Sequence, residues 1–153
     1  MKTHLSILIA LALLAFAKPV HAQADTTLAG ATAKLSHYDA LYILNSGDDH
    51  KIQATLHFIA NALEDRRLKG KLHIELIAYS TGVNIYKKSG PYEKQLKELY
   101  DKGVVFAECN NTVVAMNISR NDLFPFVVYV PSGNGEIILR HYDGWAVVQP
   151  TAY

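Results

Sequence analysis

The sequence contains a single cysteine, Cys109, within GVVFAECNNTVVAM over residues 103–116. An apolar run ends at that thiol. Asn110, Asn111 and Thr112, all residue types that cap helices, follow it. One thiol cannot close an intrachain disulfide, so disulfides do not hold this fold together. Three fates remain: inert burial, pairing between two chains, or reaction. The position favours reaction. A cysteine at a strand end, just before a helix, meets free N–H groups and partial positive charge. Both favour thiolate, the nucleophilic form, and bring the pKa below the ordinary value of about 8.5. Asn110, Asn111 and Thr112 can donate side-chain or backbone hydrogen bonds to that anion; their simpler role is to cap the helix.

The elements that must hold Cys109 in this place follow from pattern. Residues 38–47 read as a buried strand ending at Gly47. Residues 48–70 read as a helix capped by Asp48 or Asp49, with Ile52, Leu56, Ile59, Ala60 and Leu63 at helical spacing and Gly70 closing it. A second strand covers 71–82. A helix over 91–103 places Pro91 in the first turn and turns Leu96, Leu99 and Tyr100 inward. Residues 104–109 form the third strand and 110–119 a short helix. Residues 126–131 and 145–150 form the last two strands. The segment 132–144 stays open: a helix from near Asn134 with Ile137, Ile138 and His141 inward, or a strand after a Gly-Asn-Gly turn. Strands alternating with helices imply an α/β fold with a mostly parallel sheet.

In such a sheet, chemistry collects beyond the carboxyl ends of the strands. The loops after the first two strands then bring Asp48, Asp49, His50, Tyr79 and Ser80 toward Cys109. His50 is a candidate base for the thiol. Tyr79 and Tyr86 are the tyrosines best placed for that face, and His141 and Tyr142, near Trp145, are candidates to line a pocket. Asp48-Asp49-His50 has no zinc-type spacing, so no metal is expected. Thiol chemistry needs no cofactor.

The first residues read as a secretory leader. Lys2 precedes an apolar stretch from Leu5 to Ala17, and small residues offer cleavage near Ala22 or Ala24. The expected organisation is a signal peptide over 1–22, a flexible lead over 23–36 and one α/β domain over 37–153, in a periplasmic or secreted protein. Removing Lys2 and Lys18 leaves 13 basic residues against 14 acidic. Without a long basic run, nucleic acid is not an expected partner, nor is a membrane after cleavage.

Three stretches carry a resemblance: IELIAYSTGV, LYDKGVVFAECNNTVVAMNIS and VPSGNGEIILRHYDGWAVVQP. Over about 38–150 the chain resembles the DsrE/DsrF-like family of small α/β proteins of sulfur metabolism. The resemblance implies a three-layer α/β/α sandwich around a five-stranded, mainly parallel sheet, with 134–143 helical. It implies a homo-oligomer, trimer or hexamer. It also implies a sulfurtransferase-like role, in which Cys109 accepts sulfane sulfur as a persulfide and passes it to a partner protein or small thiol. The alternatives are a non-catalytic oligomeric binding module with Cys109 only packed, and a dimer through a Cys109–Cys109 disulfide. The best-known relay members are cytoplasmic, and this chain departs from them in carrying a leader.

Overall fold

Strand β1 (Tyr38–Leu44) carries two apolar sets in alternation, and these decide the layering. The computed structural model describes residues 30–151, so the expected leader and both cleavage positions lie outside the described residues. Ala40, Tyr42 and Leu44 join one core and Leu41 and Ile43 the other. A strand buried on both faces belongs inside a parallel sheet. The sheet also holds β2 (Leu72–Ala78), β3 (Val105–Cys109), β4 (Val128–Val130) and β5 (Ala146–Val148), in the order β4-β3-β2-β1-β5. Every neighbouring pair is parallel.

Helix α1 (Asp49–Glu64) buries Ile52, Leu56 and Ile59, one helical stripe. Helix α2 (Glu93–Asp101) buries Leu96 and Leu99. Both pack on the face that carries Tyr42, Leu76 and Phe106. Helix α3 (Asn110–Ala115) follows β3 directly. Helix α4 (Gly133–Tyr142) covers the opposite face, where Ile137 meets the Leu41, Ile43, Ile77 and Ala107 cluster. The result is a three-layer α/β/α sandwich.

The open segment is therefore helical. Its reason is topological: a tight turn after β4 would return an antiparallel strand, whereas a parallel β5 beyond β1 needs a crossover. Ser132 caps that helix by accepting from the Gly135 N–H at 3.3 Å. Several expectations are corrected. The first helix ends at Glu64, with Asp65 as its C-cap, and not at Gly70. β2 stops at Ala78, and Ser80–Tyr86 forms a 3-10 helix. Gly82 passes so close to β1 that a Cβ there would lie 2.2 Å from the Leu44 carbonyl oxygen. Tyr86 is wholly buried and donates its hydroxyl to the Leu76 carbonyl at 2.8 Å, so it belongs to the core and not to the functional face. Ile138, His141 and Tyr100 are exposed rather than inward, Ile138 at 56% and Tyr100 at 48%.

Candidate thiol site

Cys109 ends β3 and is the N-cap residue of α3, with extended backbone angles. By strand alternation its side chain shares the face of Ala107, toward α4. It is 6% exposed. Burial pushes its thiol pKa up, but four donors outweigh that and leave the pKa below its ordinary value: the Gly133 N–H, the Thr112 N–H and hydroxyl, and the Asn111 N–H. None forms a tight side-chain cap bond to the sulfur. They act as dipoles oriented on the anion from two different helices.

Two of the donor residues, Thr112 and Gly133, are held by a second contact. Thr112 Oγ1 accepts from the Ser80 N–H at 2.9 Å, which leaves the hydroxyl proton for the sulfur. Ser80 occupies the left-handed region, φ 54°, a conformation uncommon for a residue with a Cβ. Gly133 lies flat on Tyr79: a Cβ at this position would be 3.1 to 3.3 Å from three Tyr79 side-chain atoms. Tyr79 and Ser80 thus hold Gly133 and Thr112, two of the residues around the sulfur.

The remaining candidates lie elsewhere. The Asn110 side-chain oxygen accepts from Arg120 Nη2 at 2.6 Å, and Arg120 lies over the Tyr129 ring at 4.2 Å. Asp48 caps α1 by accepting from the Lys51 N–H at 3.0 Å, and Asp49 accepts from the Tyr92 hydroxyl at 2.7 Å. His50 stands exposed on the first turn of α1 and forms no hydrogen bond with Cys109. β1 and β3 are separated by β2, so their ends are about 10 Å apart. His141 stacks edge-on against Tyr142, which is 85% exposed, while Trp145 packs with His73 and Arg140. Among the described residues, no group of three or more His, Cys, Asp or Glu is arranged to hold a metal ion.

Two residues went unnoticed in the sequence. Gly133 is one, because only the fold brings it to Cys109. Glu108 is the other. It is 0% exposed, and neither carboxyl oxygen has a hydrogen-bond partner among the described residues. Burial, and then the negative charge of the Cys109 thiolate, push its pKa up to about 9; a loose approach of the Cys109 N–H offsets little. An acidic residue inside an apolar strand was the available signal.

Fold and site define an α/β/α protein with one buried thiol at the carboxyl end of an inner strand. No family model matches the sequence, and no curated protein does. Among solved structures, the chain is 31% identical to MTH1491 from Methanobacterium thermoautotrophicum, a protein of unknown function. That match covers 74% of this chain and 99% of MTH1491, with a TM-score of 0.70. The chain belongs to the family of MTH1491. The E. coli ychN protein (16% identical, TM-score 0.57, 74% of this chain and 99% of that one) shares the fold. So does BT1422 from Bacteroides thetaiotaomicron, of unknown function (13% identical, TM-score 0.55, 73% and 94% covered).

Proposed function

We propose that this protein is an exported, sulfurtransferase-like persulfide carrier of the DsrE/DsrF type. One observation carries the reading: a recessed thiol whose pKa falls despite burial, because donors from α3 and α4 converge on it. The cycle needs no external oxidant or reductant. The Cys109 thiolate attacks the outer sulfur of a donor R–S–SH; the new S–S bond forms as the donor's own S–S bond breaks, and R–S⁻ leaves. An acceptor thiolate then takes the outer sulfur from Cys109–S–SH and returns Cys109 to thiolate. Asn111, Thr112 and Gly133 stabilise the anion at both ends of the cycle. With the thiol 6% exposed, small hydropolysulfides and low-molecular-weight persulfides are the donors that fit best. The reading includes a homo-oligomer, supported by the exposed Ile138, Leu139 and Tyr142 of α4.

The test is the pH dependence of Cys109 alkylation on the folded protein, with intact mass after exposure to polysulfide. The expected outcome is an inflection below the free-thiol value and one added sulfur, both absent in Cys109→Ser. A thiol that reacts only after denaturation, without a sulfur adduct, leaves the binding-module reading in its place. Sedimentation of the same preparation reads the assembly, and a monomer removes that part.

A further inference from the structure

Among the buried titratable groups that the mechanism above leaves unused, one adjoins the thiol. Glu108 is bonded directly to Cys109 in β3, wholly buried, with two unpartnered carboxyl oxygens. Alternation turns it to the other face of the sheet, beside Phe106. The charged and titratable groups around it are Tyr86 from the 3-10 helix and Tyr129, its register partner on β4, with Cys109 next to it on β3 but on the opposite face; Arg120 covers the Tyr129 ring. Glu75 on β2 also acts on Tyr86. None of them gives the carboxyl an ion pair. Burial of a carboxylate without partners is far costlier than burial of the neutral acid.

We propose that Glu108 is a positioning residue for the thiol: the two side chains share one negative charge, which the sulfur carries while Glu108 keeps the proton. Four donors act on the Cys109 anion, whereas Glu108 has only the loose approach of the Cys109 N–H, so the usual order of acidity is reversed within the pair. Two consequences follow from this coupling. An anionic donor such as a hydropolysulfide approaches a site bearing one charge instead of two. And when the sulfur is capped as a neutral thioether, the repulsion that adds to burial in holding the proton on Glu108 disappears, and the carboxyl becomes more acidic. This rests on Cys109 being the reactive thiolate of the proposed function, but not on its sulfur cargo.

Two measurements on the full chain test it. The first compares iodoacetate with iodoacetamide, an anionic and a neutral reagent for the same thiolate, from pH 6 to pH 10. The ratio of the two rates should fall by about fivefold through the alkaline limb in the wild type, the scale of a partly screened charge repulsion. It should stay flat in Glu108→Gln. The second follows carboxyl signals in protein labelled with carbon-13 glutamate. Glu108 should be protonated at pH 7 and should titrate at lower pH once Cys109 is capped with iodoacetamide. This second measurement needs no variant to fold. A wild-type ratio that tracks Glu108→Gln overturns the proposal. So does a Glu108 signal that is ionised at neutral pH or indifferent to capping. Failure of the polysulfide adduct alone touches the proposed function and leaves these readings intact.

Discussion

At the scale of single residues, the site turns on what Thr112 does with one hydroxyl. Its oxygen accepts from the Ser80 N–H while its proton faces the sulfur. Thr112→Val keeps the shape and removes both roles. The Cys109 pKa should rise by about one unit, the size of one hydrogen bond to a charged group. Stability should drop by roughly 1–3 kcal/mol, because the Ser80 N–H loses its partner. Thr112→Ser should restore both. Thiolate absorbance against pH reads the first effect and urea unfolding the second. If Val and Ser variants titrate alike, the hydroxyl is not a donor to the thiolate. The part of this site that was legible in the sequence is the part contiguous with Cys109. Asn111 and Thr112 adjoin the thiol, and residue type with position was enough. Asn110 has the same chemistry and adjacency, yet its oxygen is engaged by Arg120, ten residues away. His50 was placed by the strand-end rule, which names a face of the sheet but not the strand spacing along it.

At the scale of elements, α4 reaches the thiol only because its first residue has no side chain. Gly133 lies against Tyr79, and a methyl group would come within 3.1 Å of the ring. Gly133→Ala should push the start of α4 off Tyr79 and withdraw the Gly133 N–H from the sulfur. The thiol pKa should rise, and overpacking should cost about 1–3 kcal/mol. Tyr79→Leu in the Gly133→Ala background should relieve the clash and return part of the pKa shift. A Gly133→Ala thiol that titrates as wild type would show that α4 contributes nothing to the anion. The elements themselves were largely legible. β1, β2 and β3 are apolar runs bounded by glycine or polar residues, and Ile52, Leu56 and Ile59 repeat at helical spacing in α1. The segment after β4 was not, since EIILRHY suits helix and strand alike. Only the demand for a parallel β5 on the far side of β1 decides it. β2 ends at Ala78, opposite the last residue of β1, and a 3-10 helix follows at Ser80, which no local pattern records.

At the scale of the whole molecule, two buried acids set how stability should vary with pH. Glu108 has its pKa raised to about 9 by burial and by the thiolate beside it. Glu75 is raised in the same direction, first by burial, although Arg140 lies 2.7 Å away and offsets part of it. For a carboxyl whose folded pKa exceeds its unfolded one, the folded state binds the proton more tightly. Its contribution is fully present below the unfolded value, near 4.3, and is lost as pH rises toward the folded value. Cys109 has the opposite sign, because the fold lowers its pKa; its contribution grows as pH rises through the folded value and is complete only above the unfolded one. The partly buried Asp65, with its pKa lowered to about 2 by its hydrogen bonds with Arg67, titrates far below this range. Between pH 5 and pH 8 the acids should therefore dominate. The wild type should lose stability as pH rises, by a few kcal/mol across the window, with each bound proton worth roughly 1.4 kcal/mol per pH unit. Glu108→Gln should flatten that slope whatever its effect on absolute stability, because the amide cannot ionise. Urea midpoints at pH 5 and pH 8 for both proteins measure it. Equal slopes would mean that Glu108 enters the folded state already ionised, and a stability that rises with pH would mean that a group of the opposite sign outweighs both acids.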